Sequence, residues 1–155
     1  MVSRYEQFTT AISSIYYHFQ KIERREMERY GLRGTYTQYL LAIDRASDGI
    51  TSAELSELCE KDKAAVSRAV ADMESQGLIC RAMENERAYR AKLYLTEEGK
   101  RAAEFVRRRS KTAVDLAGNG LSDEDRAVMY GALELIAGNL QRISRDGIPE
   151  DGTNY

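Results

Sequence analysis

One segment of the chain, residues 51–79, constrains the fold most strongly because it encodes two short helices with a tight joint between them. Thr51 is followed three residues later by Glu54, a capping box in which a hydroxyl and a carboxylate satisfy the first free amides of a helix. After a break at residues 60–61, Asp62 is a suitable cap for the second helix. This arrangement indicates a helix-turn-helix unit, although the joint lacks the glycine often found there.

Both helices have an apolar face that predicts which side is buried. In the first helix this face consists of Leu55, Leu58 and Cys59. In the second helix it consists of Val66, Val70 and Met73. Gly77 then follows as a left-handed C-terminal cap. A turn of about 100° per residue places a small and polar set on the opposite face of the second helix: Lys63, Ala64, Ser67, Arg68 and Ala71.

Two strand candidates follow the second helix, "LICRAM" at residues 78–83 and "AYRAKLYLT" at residues 88–96, with the polar "ENER" between them. The second candidate alternates apolar and polar side chains, as a strand with one buried face does. A β-hairpin directly after a helix-turn-helix predicts a winged helix. The alternative is a small α+β core in which the hairpin only covers the edge of a sheet.

The N-terminal part of the chain is predicted to be helical. Residues 3–29 have apolar side chains at the spacing of one helix face: Tyr5, Phe8, Ile12, Ile15, Tyr16, Phe19 and Ile22. The glycines of "YGLRGTY" end this helix, and a short helix follows at residues 37–46 with Thr37 as its expected N-cap.

The C-terminal part is predicted to hold two more helices. Thr96 opens one that extends through Lys111 and beyond, and Ser122 with Asp125 begins the last one. The last helix carries a further apolar set: Val128, Leu133, Leu135, Ile136, Leu140 and Ile143. The long helices at both ends have more apolar surface than so small a core can cover, so we predict a homodimer.

The counts of reactive side chains exclude several kinds of chemistry. The chain has one histidine, His18, and two cysteines, Cys59 and Cys80, none of which has metal-ligand spacing. Both cysteines have apolar neighbours, so we expect buried, structural thiols, and a redox sensor is the alternative. A catalytic triad or a zinc site would depend on His18 alone, and we therefore predict no enzymatic activity, no metal and no cofactor.

The charge of the chain is unevenly distributed although the net charge is only −2. Residues 61–96 carry seven basic and five acidic side chains, whereas residues 110–155 carry four basic and eight acidic ones. A mildly basic middle segment is compatible with a DNA-binding face. No run approaches the roughly 18 apolar residues that span a bilayer. The N-terminus lacks an apolar signal core, so we expect a cytoplasmic location.

The order of these elements resembles the MarR family of transcriptional regulators. The residues that carry the resemblance are "YTQYLLAI", "ITSAELSELCEKDKAAVSRAVADMESQGLI" and "LYLTEEGK", and they extend from about Thr35 to Gly99. The resemblance implies dimers in which the terminal helices intertwine, a ligand that is often an aromatic acid, and repression as the usual outcome. The chain departs from the family at the wing, where Arg87 and Tyr89 stand in place of an Asp-x-Arg pattern.

We therefore predict a DNA-binding surface made of the exposed face of the second helix and the wing: Lys63, Ala64, Ser67, Arg68, Arg87 and Arg90. An ordinary solvated helix face is the alternative for the charges. A ligand site is predicted near the junction of the first two helices, at Tyr16, Phe19, Tyr36 and Tyr39. Packing of these rings in the core or in the dimer is the alternative.

The fold class predicted from these patterns is mainly α (α+β), a winged helix-turn-helix with long N- and C-terminal dimerisation helices. We predict dimerisation helices at residues 1–34 and 100–147, the DNA-binding domain at residues 35–99, and a flexible tail at residues 148–155. The predicted function is a dimeric regulator that binds a pseudo-palindromic DNA operator. A winged-helix module that binds proteins and has no specific DNA site is the alternative.

Overall fold

The order of helices and strands is that of a winged helix-turn-helix. The computed structural model describes residues 3–82 and 91–148. Its elements are α1 (Arg4–Arg29), a 3₁₀ turn (Gly34–Tyr36), α2 (Thr37–Arg45), α3 (Ser52–Leu58), α4 (Lys63–Ser75), β1 (Ile79–Ala82), β2 (Lys92–Leu95), α5 (Glu97–Ala117) and α6 (Asp123–Asp146). The chain forms two compact units, Met1–Val114 and Asp115–Tyr155.

The predicted side-chain caps of α3, α4 and α6 are confirmed. Thr51 Oγ1 accepts the amide of Glu54 at 3.2 Å, and the Glu54 carboxylate accepts the amide of Thr51 at 2.8 Å. Asp62 and Ser122 cap α4 and α6 by accepting backbone amides at 2.9 and 3.1 Å. Since these groups satisfy amides that have no partner within the helix, the sequence alone determines where these helices begin.

The predicted role of Thr37 as an N-cap is wrong. The 3₁₀ turn continues directly into α2, so the N-cap is Tyr36, whose backbone is already helical at φ −79° and ψ −18°. Thr37 is therefore the first residue of the helix, and it is buried with its hydroxyl lacking a hydrogen-bond partner among the described residues.

The core of the first unit lies between α2, α3, α4, the hairpin, α5 and the end of α1. Val66, Val70 and Met73 are fully buried, as the helical spacing predicted. The predicted burial of Leu58 is wrong, since its side chain is 60% exposed. The buried side of α3 is centred between Leu55 and Ser56. At about 100° per residue, Leu58 points roughly 110° away from that direction and therefore faces solvent.

The two strands pair in antiparallel register, with Ile79 opposite Leu95 and Arg81 opposite Leu93. Residues 83–90 between them, which include the predicted "ENER" loop, lie outside the described residues. The expectation that both cysteines are buried is wrong. Cys80 is exposed because its position in β1 faces away from the core, and Cys59 is half-buried.

The joint between α3 and α4 contains the one non-glycine residue with positive φ in the described chain, Glu60 at φ 51°. The left-handed conformation costs an ordinary residue about 1–2 kcal/mol. We therefore expect Glu60→Gly to raise the free energy of unfolding by about 1 kcal/mol, because glycine adopts this conformation freely but loses more entropy on folding. Urea denaturation checks this, with Glu57→Gly inside α3 as the matched control that should lose about 1 kcal/mol. Equal losses in both variants would contradict it.

The long helices at both ends expose apolar side chains. No residue of α6 is buried within the chain, and Val128 and Leu135 are 73% and 66% exposed. On α1, Tyr5, Ile15 and Tyr16 are likewise more than half exposed. No helix in residues 3–82 and 91–148 is long and apolar enough to cross a membrane. Residues 149–155 of the predicted tail lie outside the described residues, and Ile148 is exposed.

Candidate nucleic-acid interface

The surface of α4 that faces solvent carries all of the predicted contact residues of this helix. Lys63, Ala64, Ser67, Arg68 and Ala71 are exposed. The opposite face is anchored by three side chains with 0% exposure: Val66, Val70 and Met73. A helix with one face fully buried and the other composed of small and basic side chains can enter a groove without losing its place in the core.

Contacts at both ends hold α4 in the domain. Before the helix, Ser56 Oγ donates to the carbonyl of Lys61 at 2.6 Å and closes the joint with α3. After the helix, Arg81 Nε on β1 donates to the Glu74 carboxylate at 3.0 Å. The hairpin and the joint therefore fix the direction in which α4 points.

A third anchor, which the sequence did not reveal, lies on the side of α4 and involves Tyr36. The Tyr36 hydroxyl donates to the Asp72 carboxylate, and Gln76 Nε2 donates to the Tyr36 hydroxyl oxygen at 3.0 Å. Arg33 Nη1 lies 3.2 Å from Asp72 Oδ2. Burial and the bond to Asp72 raise the pKa of Tyr36 to about 12, and the bond from Tyr36 lowers the pKa of Asp72.

The raised pKa of Tyr36 makes stability sensitive to alkaline pH. A group whose pKa is higher in the folded than in the unfolded state stabilises fully below the unfolded value and loses this contribution as pH rises towards the folded value. Tyr36 should therefore contribute fully below pH 10.0, the ordinary tyrosine value, and lose its contribution towards about pH 12. We expect urea midpoints at pH 9 and pH 11 to differ more for the wild type than for Tyr36→Phe. Tyr5→Phe, which changes an exposed ring, should keep the wild-type difference.

The residues predicted to bind a ligand lie in different surroundings. Tyr16 is exposed on α1 and accepts a hydrogen bond from Gln20 at 2.7 Å, whereas Phe19 is half-buried. Tyr36 is in the core with its hydroxyl bonded to Asp72. Tyr39 lines a cleft of about 290 Å³ between α1, the 3₁₀ turn and the joint before α4. Tyr39 is thus the one of these four residues that lines this cleft.

Charged side chains contribute to the walls of the cleft at Tyr39. Glu23 and Arg24 line it from α1, and Lys61 and Ala65 line it from the joint and the first turn of α4. Burial raises the pKa of the Glu23 carboxyl. A molecule in this cleft would contact both α1 and the start of α4.

The predicted wing residues Arg87 and Arg90 lie outside the described residues. In the part of the chain that the structure describes, no three or more His, Cys, Asp or Glu side chains form a group that could hold a metal ion. The fold and the surface together define a class of protein, a winged helix-turn-helix in which the exposed face of α4 carries Lys63 and Arg68.

Comparison with known proteins shows which family the chain resembles. Residues 30–88 match the model of the MarR family. The chain is 28% identical over 110 residues to the uncharacterized HTH-type transcriptional regulator YybA of Bacillus subtilis (strain 168). The aligned residues make up 71% of this chain and 72% of that relative.

Solved structures agree with this match at the level of the fold. A MarR transcriptional regulator from Methanosarcina mazei Go1 superposes with a TM-score of 0.80 at 24% identity, over 92% of this chain and 94% of that one. A putative MarR family transcriptional regulator from Listeria monocytogenes, complexed with 26mer DNA, gives a TM-score of 0.79 at 20% identity, over 92% and 97%. Residues 30–88 are thus similar to MarR-family transcriptional regulators, and the chain shares its fold with the solved structures over about nine tenths of its length. The predicted resemblance and the predicted fold class are confirmed.

Proposed function

We propose that this protein is a dimeric transcriptional repressor that binds a specific DNA operator and is located in the cytoplasm. A small aromatic ligand changes its affinity for the operator. The observation that supports the proposal most is the exposed face of α4, which presents Lys63, Ser67 and Arg68 while its other face is fully buried. The structure from Listeria monocytogenes with the same fold holds a 26mer DNA, which supports duplex DNA as the partner.

The side chains of α4 suit the major groove, whose width accommodates a helix. Arg68 can donate two hydrogen bonds to the O6 and N7 atoms of guanine. Lys63 and Ser67 suit phosphates or a single base edge. Ala64 and Ala71 allow a close approach and can contact a thymine methyl group. We assign Arg87 or Arg90 of the wing to a flanking minor groove, where narrow A·T tracts concentrate negative potential.

Dimerisation is supported by the exposed apolar side chains of the terminal helices. Val128, Leu135 and Leu140 on α6 are each more than half exposed, an unusual composition for a helix surface in water. We assign residues 1–34 and 100–147 to dimerisation and residues 35–99 to DNA binding. Sedimentation equilibrium should give twice the chain mass of 17.6 kDa.

Ligand control is supported by the position of the cleft at Tyr39. Its walls include Glu23 of α1 and Lys61 of the joint before α4, so an occupant would contact the elements that carry and orient α4. A ring-shaped ligand would pack on Tyr39. Tyr16, Phe19 and Tyr36 do not line this cleft, and their part in ligand binding remains a prediction from the sequence. Repression follows from the resemblance to the family.

Selection of bound sites from a randomised duplex library, followed by footprinting, tests the proposed function. Two symmetry-related copies of α4 should select a pseudo-palindrome whose half-sites are about 10 base pairs apart from centre to centre. A footprint without two-fold symmetry would contradict the dimeric reading. A panel of aromatic carboxylates added to the complex then tests ligand control, which predicts a change in operator affinity with at least one of them.

A further inference from the structure

A cluster of hydrogen-bonded polar side chains lies on the side of α4, and apolar packing in the core does not explain it. We define the Tyr36 cluster as Arg33, Tyr36, Asp72 and Gln76. Its centre is the Tyr36 hydroxyl, which donates to Asp72 and accepts from Gln76 at 3.0 Å, while Arg33 pairs with Asp72 at 3.2 Å. The Tyr36 ring is 1% exposed, so the core fixes the position of this hydroxyl.

Asp72 of α4 and Gln76, the C-cap of that helix, lie beside the face that would contact DNA. Asp72 is one turn after Arg68 and about 40° further around the helix axis, and Gln76 continues the same row. A bond to this row resists rotation of α4 about its own axis. At the outer radius of a helix, about 5–6 Å, a rotation of roughly 10° moves a side-chain tip by about 1 Å. That displacement is large for a hydrogen bond to a base edge.

The other side of the cluster is fixed to α1. The 3₁₀ turn that carries Tyr36 packs so closely on α1 that a Cβ atom at Gly34 would lie 2.6 Å from the Cα of Arg24. Residue 34 therefore has to be glycine for the turn to reach this position. The Tyr36 cluster thus links the orientation of α4 to α1, the helix that the proposed dimer uses to hold its second copy.

We propose that Tyr36 is a positioning residue for base reading: its bond to Asp72 sets the rotation of α4 relative to α1. The bond thereby sets selectivity for the base sequence and for the distance between the two half-sites. Affinity for DNA of unrelated sequence does not depend on this bond, because phosphate contacts tolerate small rotations better than base contacts do. This inference rests on the proposed function.

The Tyr36→Phe variant tests the proposal because phenylalanine keeps the ring in the core and removes only the hydroxyl. The readout is the ratio of affinities for the selected operator and for a scrambled duplex of the same length, measured by fluorescence anisotropy at one salt concentration. We expect this ratio to fall about tenfold, the order expected for the loss of one specific base contact, with the scrambled affinity unchanged. Operators with half-sites moved apart by one base pair should also be discriminated less well.

Tyr30→Phe is the matched control. Tyr30 lies in the same connection after α1, but its hydroxyl donates to Glu98 on α5, at 3.4 Å, and not to α4. Its affinity ratio should remain that of the wild type. A double-mutant cycle adds Asp72→Ala, and the combined variant should lose no more of the ratio than Tyr36→Phe alone, because both changes break the same bond.

The outcomes separate this inference from the proposed function. An unchanged ratio in Tyr36→Phe, together with a lower melting temperature, would overturn the inference and leave the bond a purely stabilising one. A wild type that does not distinguish operator from scrambled duplex would overturn the proposed function and the inference with it. If Tyr36→Phe does not fold, Gln76→Ala carries the test, because Gln76 is exposed and its loss leaves the core intact. The ratio of operator affinity to scrambled-duplex affinity should also fall in Gln76→Ala. An unchanged ratio in that variant would count against the inference.

Discussion

Replacement of Gly99 by alanine is expected to lower the free energy of unfolding by about 3 kcal/mol, at the upper end of what overpacking a core usually costs. A Cβ atom at this position would lie 1.9 Å from the carbonyl oxygen of Leu78 and 3.3 Å from the Cβ of Leu95. That carbonyl accepts the amide of Thr96 at 3.0 Å, and the Thr96 hydroxyl donates to the carbonyl of Gly77 at 2.6 Å. The added methyl would therefore displace the start of α5 from the end of α4.

Chemical denaturation of Gly99→Ala measures this effect, and Gly138→Ala on α6 is the control. Gly138 also lies inside a helix, but apart from its two chain neighbours and the nearby backbone of its own helix, no described atom is within 4 Å of a Cβ added there. Alanine should raise stability at Gly138 by about 0.5–1 kcal/mol, because glycine is costly in a helix interior. Similar changes in the two variants would show that helix propensity, and not the contact with Leu78, governs position 99.

Arg68→Ala is expected to weaken binding to the selected operator by about 1–3 kcal/mol and to relax the base preference at one position of each half-site. Arg68 is exposed in the middle of the α4 face, where its guanidinium can reach two acceptors of one guanine. The side chain is not part of the core, so the melting temperature and the dimer should be unchanged. Titration against the operator and its single-base variants measures the loss.

Two further variants distinguish base reading from simple loss of charge. Arg108→Ala removes an exposed arginine from α5 and should leave operator affinity almost unchanged. Lys63→Ala should weaken operator and scrambled duplex about equally and reduce the salt dependence by about one phosphate contact. If Arg68→Ala behaves like Lys63→Ala, its assignment to a base contact is wrong and it binds phosphate.

Sequence reasoning succeeded where structure depends on neighbours along the chain. The capping box at Thr51, the cap at Asp62 and the left-handed Gly77 at φ 72° are local features, and the structure confirms each of them. The buried face of α4 was also predictable, since thirteen residues give enough turns for a stripe to define one direction. Helix α3 has only seven residues, too few to fix its rotation, and Leu58 was misplaced for that reason.

The features that the sequence did not reveal depend on contacts between distant residues. Tyr36 and Asp72 are 36 residues apart, and neither belongs to a motif that would join them. Thr37 was misplaced because a 3₁₀ turn, set by the packing of Gly34 on α1, extends the start of the helix. The exposure of Cys80 depends on which face of β1 meets the core, which a strand of four residues does not specify.

The measurement that tests the central claim most directly is a titration of the wild-type protein with the duplex DNA upstream of its own gene at two salt concentrations. If α4 reads DNA, binding should be tight and sequence-dependent, and it should weaken steeply as salt rises, because phosphate contacts release counterions. If the protein does not bind this duplex but binds others, its operator lies elsewhere and should be sought by selection of bound fragments from the genome. Failure to bind any duplex at low salt would contradict the account and favour a winged helix that binds proteins.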